Sequence, residues 1–286
     1  LISTPSQHAQ IDLHCHSTAS DGFLPPAELV AHAAAHNIAL LALTDHDTVA
    51  GLSAARDAAQ RLGMGFINGV EISVSWENKT LHVVGLDIDP HNPTLTSLLD
   101  DIQQRRLSRA ERMAERLDKL GADNSLAAAR TLAGDGQLTR THFARVVVAQ
   151  GLADDLKQAF KKYLGAGKPA AVRISWPPLS EAIEAIHASG GLAVLAHPLR
   201  YKLSGAWRQR MLDAFQACGG DAVEVSAGAS QNAQDLALIT REVANRELLG
   251  SIGSDFHAHE QRWIRYGKLA PISTRITPVW HHFNSA

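Results

Sequence analysis

Short apolar runs take turns with amphipathic stretches along most of this chain, and that alternation limits the fold more than any other feature. Strand patterns at residues 11–14, 39–44, 66–74 and 80–88 are interleaved with helical patterns at 25–37 and 49–62. The strand runs are almost continuously apolar, as expected of a sheet buried on both faces, and their alternation with helices is the α/β signature. Pro90 and Pro93 end the pattern. From residue 95 to 164 only helical signals follow: a long amphipathic helix closing at Leu120 and Gly121, then shorter ones at 126–133, 141–150 and 154–163. Strand patterns return at 170–174, 191–195, 222–225 and 248–251, separated by helices at 179–188, near 206–217 and at 230–245. The simplest architecture is an α/β barrel, or a barrel-like sheet, interrupted by an all-helical insertion at residues 94–168. A length of 286 residues suits one such domain with its insert.

Composition excludes more than it identifies. With a formal net charge of -2, the chain lacks the overall positive field that a sequence-indifferent binder of duplex nucleic acid uses. Two cysteines cannot build a disulfide framework, so a reducing, cytoplasmic setting is expected. The longest apolar stretches, 38–44 and 190–196, fall far short of the ~20 residues of a membrane-spanning helix. Residues 1–10 are polar, start without Met and lack the plan of a signal peptide; they are expected to be a remnant outside the fold. What folding alone leaves unexplained is the content of 15 histidines.

The first strand reads IDLHCHS. Side chains on a strand alternate faces, so His14 and His16 project together while Cys15 points away, and two imidazoles on one side make half of a divalent-metal site. The second strand ends abruptly in TDHD, where an apolar run gives way to a helix start; in βα barrels catalytic groups collect at that carboxyl edge. His46 is the ligand candidate there, whereas Asp45 and Asp47 are equally readable as turn and capping residues. Asp21, in SDG, is either a turn residue or a group that folds back toward the HxH pair. Later strand ends repeat the theme with Glu71 in NGVEIS, His197 in AVLAHP, Glu224 in AVEVS, and Asp255 with His257 in GSDFH. His82 sits inside its apolar run and is open to reading as a hydrogen-bonded core histidine. Ligating or charged groups inside a barrel cost several kcal/mol each unless compensated, and a metal cluster compensates all of them at once.

In this order, HCHS with SDG, TDHD, GVEIS, HVVG, AHP and GSDFH resemble the polymerase and histidinol phosphatase (PHP) family of metal-dependent phosphoesterases. The resemblance runs from His14 to His257. It implies a distorted (β/α)7 barrel formed by residues 11–93 and 169–286, with 94–168 as the insertion domain, holding up to three divalent ions. One ion would take His14, His16, Glu71 and Asp255, a second Glu71, His82 and His197, and a third Asp21, His46 and His257. Glu71, His197 and Asp255 would form the catalytic group, with Asp255 accepting a proton from the attacking water. Mixed imidazole and carboxylate donors suit Mn, Zn or Fe and are nitrogen-rich for Mg; manganese is the expected ion. Asp12 shares its strand face with His14 and is expected to orient it, and Glu224 either does the same or walls the pocket.

The insertion narrows the substrate. Its long helix places Arg105, Arg109, Arg112 and Arg116 at helical spacing, with Arg106 beside them. Arg112 and Arg116 read as a solvated face, whereas Arg105, Arg106 and Arg109 lie nearer the barrel end and are candidates to overhang the metals. TRTHFAR adds Arg140, His142 and Arg145 at a helix start, where backbone donors favour anions. Arginine suits phosphate because its planar fork binds two oxygens at once. TRTHFAR, AFKKYLGAGKPA, GGLAVLAHPLRY and GSDFH together resemble the branch of 3′,5′-nucleoside bisphosphate phosphatases and 5′ to 3′ exoribonucleases. The resemblance implies a small nucleotide substrate, with short RNA as the alternative and neither duplex nor membrane as partner; an aromatic content of 5% offers few stacking platforms for a long strand. A metal-dependent amidohydrolase fits the arginines less well, and a non-catalytic module would have discarded ligands that are all present here.

Overall fold

Seven strands form one sheet in chain order in the computed structural model, which describes residues 10–228, 232–258 and 269–284. They are β1 (Gln10–Asp12), β2 (Ile38–Leu43), β3 (Gly65–Trp76), β4 (Lys79–Leu86), β5 (Leu192–Leu195), β6 (Ala222–Ala227) and β7 (Leu249–Gly253). β1, β2 and β3 run parallel, as do β5, β6 and β7; β4 is antiparallel to both its neighbours. Past the regular ladder of β1, the chain closes on β7: Leu13 N–H donates to Ile252 C=O, Asp255 N–H to His14 C=O and His16 N–H to Phe256 C=O, at 2.8–3.0 Å. Gly253 permits that seam, because a Cβ there would lie 2.2 Å from the Cβ of His14. The result is a nearly closed, barrel-like sheet of the distorted (β/α)7 kind.

The reversal at β4 comes from a two-residue turn, Glu77 and Asn78, both in the left-handed region that tight hairpins require. Because β4 runs backwards, its beginning reaches the mouth of the barrel where the parallel strands end. Helices α1 (Pro26–Ala35) and α2 (Leu52–Leu62) follow β1 and β2.

After β4 come α3 (Pro93–Lys119), α4 (Ser125–Ala133), α5 (Arg140–Ala149) and α6 (Leu156–Ala159), the last continuing as a π-helical turn at Phe160–Leu164. Asn92 starts α3 by accepting from the N–H groups of Thr94 and Leu95, with Pro93 at the first helical position. α3 serves two cores. Leu95, Leu98, Leu99 and Ile102 pack into the barrel cluster, each stabilising by about 2 kcal/mol. Ala110, Met113 and Leu117 belong to a second cluster with Phe143, Val146 and Val147 of α5. Arg106 and Arg109 lie at the changeover and are buried.

The chain returns to the barrel through α7 (Leu179–Ala188), α8 (Gly205–Ala217) and α9 (Ala233–Ala244). The strand expected at 170–174 does not form: the segment meets the sheet only beyond that span, where Ser75 N–H of β3 donates to the Pro177 carbonyl, while Arg116 donates to the Ala171 carbonyl and Arg105 to that of Ser175. The expected starts at residue 230 and residues 1–9 lie outside the described residues. No described helix is long and apolar enough to cross a membrane.

Candidate metal centre and the cavity beside it

Strand ends, the loops that leave them and, for Glu71 and His82, the interiors of β3 and β4 bring nine imidazoles and carboxylates together. Their ligand atoms fall into three overlapping groups, within each of which all atoms lie within 4.8 Å of one another: His14, His16, Glu71 and Asp255; His16, Asp21, His46 and His257; and His46, Glu71 and His82. His197 joins through its Nε2, 3.0 Å from Glu71 Oε1. Glu71 is the hub, fully buried and within 3.3 Å of His14, His16, His46 and His82 as well. His82 reaches it from inside an apolar run because β4 is reversed.

The loops around the site are fixed by groups that are not themselves ligands. Asp45 accepts from the backbone and hydroxyl of Ser17 and the hydroxyl of Ser20, all at 2.6–2.7 Å, and so holds the loop that presents Asp21. Glu224 lies 2.7 Å from His14 Nδ1 and accepts from the His197 N–H with its other oxygen, orienting two candidate ligands at once. Asp12 acts on the backbone instead: it accepts from the N–H groups of His14 and Ser254 across the seam, and burial pushes its carboxyl up to about 6. Asp47, His197 and Asp255 all adopt left-handed backbone conformations, the kind of strain that concentrates where side chains are aimed for a purpose.

The residues fit a cluster of divalent ions. His14 and His16 aim their Nε2 atoms at one another, 3.1 Å apart. Asp21 Oδ1, His46 Nδ1 and Glu71 Oε2 are buried with only ring nitrogens or carboxylate oxygens of the same cluster for company, His46 Nδ1 lying 2.8 Å from Glu71 Oε2 and Asp21 Oδ1 3.3 Å from His257 Nε2, a concentration of donors that a shared cation would satisfy. Burial and the neighbouring imidazoles of His257 and His46 push His16 down to about 3, leaving it neutral, the form that binds metal. Burial would raise the Glu71 carboxyl, but His46, His82 and His14 around it hold it well below the usual range. Donors about 2.0–2.2 Å from one ion lie at most about 4.4 Å apart, so groups whose atoms lie within 4.8 Å of one another need only a small adjustment to receive it.

Beside this centre opens a cavity of about 990 Å³, whose lining includes Asp21, His46 and His82 at one end and Arg106, Arg109, Arg112, Arg116, Arg140 and Arg173 along its wall. Arg106 forks onto Asp47 through Nε and Nη2 and also reaches the Ser73 hydroxyl. Trp176 stacks under two guanidiniums, those of Arg106 and Arg109, at 5.1 and 5.0 Å. The insertion touches the ligand loops directly: Thr141 Oγ1 donates to Asp21 Oδ2 and Gln137 Nε2 to the Asp47 carbonyl.

Several expectations about the arginines need correcting. Arg105 does not face the metals; it pairs with Asp101 and the Ser175 carbonyl and opens onto a shallower outer cleft. His142 is the third residue of the α5 capping box, its Nδ1 accepting from the Thr139 N–H, and is absent from the cavity lining, as is Arg145. Arg112, expected to be solvated, is exposed and also lines the cavity, as does the half-buried Arg116. The cause is the rotation of α3, which its two cores set. Arg200 went unnoticed: it forms an ion pair with Asp255 from the turn Pro198–Tyr201, and Tyr201 next to it accepts from the His82 N–H. The available signal was position, since Arg200 stands one turn beyond His197.

A PHP domain model matches residues 12–169. A 5′-3′ exoribonuclease of Haemophilus influenzae is 44% identical over 95% of this chain and 98% of its own length. A 3′,5′-nucleoside bisphosphate phosphatase of Chromobacterium violaceum is 41% identical over 97% of each chain. A solved structure of an amidohydrolase from Chromobacterium violaceum, with bound sulfate and no metal, superposes with a TM-score of 0.90 at 40% identity, covering 97% of this chain and 96% of that one. With a family model spanning over half of its length and relatives this similar along nearly all of it, the chain belongs to the PHP family, in the phosphoesterase branch shared by the bisphosphate phosphatases and 5′-3′ exoribonucleases.

Proposed function

We propose that this chain is a metal-dependent phosphomonoesterase that removes the 3′-phosphate of nucleoside 3′,5′-bisphosphates, giving a nucleoside 5′-phosphate and orthophosphate. The observation that carries the reading is that Arg109 and Arg140 line the same cavity as Asp21, His46 and His82, so one substrate can meet both walls. His14, His16, Asp21, His46, Glu71, His82, His197, Asp255 and His257 would hold the ions, manganese being our choice over zinc or iron. When bound, such ions polarise phosphoryl oxygens and make water acidic enough to attack near neutral pH.

The chain's own residues do the rest. Arg109 and Arg140 bind the 5′-phosphate and so place the 3′-phosphorus over the ligand cluster; Arg106, held by Asp47, fixes the wall behind them. Water adds to phosphorus and gives its proton to Asp255, which the Arg200 guanidinium braces. The bond from phosphorus to the 3′ oxygen breaks, and that oxygen is protonated from the side of His197. Interactions with the remote 5′-phosphate raise turnover only if that phosphate is present. Arg140→Ala is therefore expected to lower kcat/KM for adenosine 3′,5′-bisphosphate about a hundredfold while leaving a simple aryl phosphate nearly unaffected; equal losses on both would refute the grip.

A 5′ to 3′ exoribonuclease acting on short 5′-phosphorylated RNA is the second reading, favoured by the name of the Haemophilus influenzae relative. It uses the same centre with a phosphodiester in place of the terminal phosphate, and one assay with both substrates separates the two.

A further inference from the structure

The cavity carries more positive charge than a 5′-phosphate can use. Asp47 matches Arg106, but among the described residues none of Arg109, Arg112, Arg140 and Arg173 is paired with a carboxylate. Arg109 is crowded: burial, and then Arg106 and Arg140 beside it, push it down to about 9, while Arg112 and Arg173 stand exposed at the same cavity. A 5′-phosphate brings roughly 1.5 to 2 negative charges, enough for Arg109 and Arg140 and no more. The wall continues well past them. With about 1.5 Å of rise per residue, Arg116 stands roughly 15 Å farther along α3 than Arg106. Arg112 follows Arg109 by one turn, so the two guanidiniums spring from positions about 5–6 Å apart. Arg173 faces them from the extended segment that failed to become a strand, with Phe160 and Leu164 beyond. Arg109, Arg112 and Arg173 also line the outer cleft, which therefore adjoins the cavity and leaves it open at this end.

We infer that Arg112 and Arg173 form a second phosphate subsite next to the 5′-phosphate grip, so that the chain prefers a 3′-phosphonucleotide bearing a 5′-diphosphate over one bearing a 5′-monophosphate. The inference rests on the phosphatase reading above. The reaction is unchanged: water attacks the 3′-phosphorus, the 3′ oxygen leaves, and the 5′-diphosphate is retained. The second phosphate adds charge where the unpaired arginines stand, and the one-turn spacing of Arg109 and Arg112 suits neighbouring phosphates. A phosphodiester linking a second nucleotide offers the same chemistry, so the test separates the two.

The metal-loaded protein is assayed on adenosine 3′,5′-bisphosphate, adenosine 3′-phosphate 5′-diphosphate and the dinucleotide pApAp, with products identified as AMP, ADP or pApA. Binding of AMP and ADP, the first two products, is measured by calorimetry alongside. The expected result is a kcat/KM about tenfold higher for the diphosphate than for the bisphosphate, with ADP bound about tenfold more tightly than AMP. Arg112→Ala and Arg173→Ala should each abolish most of that preference while keeping bisphosphate turnover within about twofold of the unaltered protein. A diphosphate used no better than the bisphosphate, or a preference that survives both substitutions, would overturn the subsite and leave the phosphatase reading standing. A stronger preference for pApAp would overturn the assignment to a diphosphate. Release of 3′-phosphate from none of the three would overturn both.

Discussion

At the barrel mouth imidazoles and carboxylates are interleaved, whereas on the facing wall of the insertion arginines crowd together. Glu71 lies within 3.3 Å of five histidines. Of the arginines lining the cavity, Arg106 is the one paired with a carboxylate among the described residues. The mouth thus offers a surplus of metal-binding donors and the wall a surplus of positive charge. A ligand that completes both must be an anion that also binds metal, and a phosphate ester is one. The difference also separates two kinds of cost: the mouth buries polar and charged donors taken out of water, the wall stores repulsion between like charges.

Glu71→Gln would break the mouth most severely. It removes the one charge that all five imidazoles share, and bound metal and phosphate release should both fall, the latter by about 10³-fold. AMP binding, measured by calorimetry, should fall far less if the wall works independently; a parallel collapse would merge the two regions into one. Asp47→Asn comes next. It leaves Arg106 buried without its partner and should cost about 3 to 5 kcal/mol in urea unfolding, because an uncompensated buried charge is worse than none. Adding Arg106→Met should restore much of that stability yet leave bisphosphate binding weakened, since the wall loses one of its positive charges.

The smallest effect concerns His142, which burial keeps below the usual histidine range and whose neutral ring caps α5. A folded pKa below the ordinary 6.5 means that the unfolded chain binds the proton more tightly. The contribution is therefore complete above that value and is lost as pH falls through the lower, folded one. His142→Gln should remove this pH dependence and cost about 1 kcal/mol, the usual worth of a cap. Bisphosphate turnover at neutral pH should barely change, and a large loss there would return His142 to the substrate wall.

The mouth was legible in the amino-acid sequence because the backbone places it. Residues just past the end of a parallel strand lie at the mouth whatever the neighbouring loops do, so HxH, TDHD and GSDFH mark a cluster; Glu71, expected at a strand end, instead lies inside β3, which runs on to Trp76. His82 was the ambiguous member, since the reversal of β4 is decided by a turn at Glu77 and Asn78 that carries no glycine. The wall was less legible. Which arginines of α3 face inward depends on how two hydrophobic clusters rotate that helix, and the spacing of the arginines is the same for every rotation. Arg105 consequently lines only the outer cleft, whereas the exposed Arg112 lines both cleft and cavity, and His142 caps α5. The segment 170–174 has strand composition, but the Ala171 carbonyl and that of nearby Ser175 accept from arginines of α3 instead of a sheet ladder.

The central claim is that the mouth and the wall act on one phosphate ester. Its most direct test combines metal analysis of the purified protein with product analysis on adenosine 3′,5′-bisphosphate, beside a short 5′-phosphorylated RNA. The account predicts bound divalent metal and conversion of the bisphosphate to AMP and orthophosphate. Protein without bound metal that releases nothing from either substrate would contradict it.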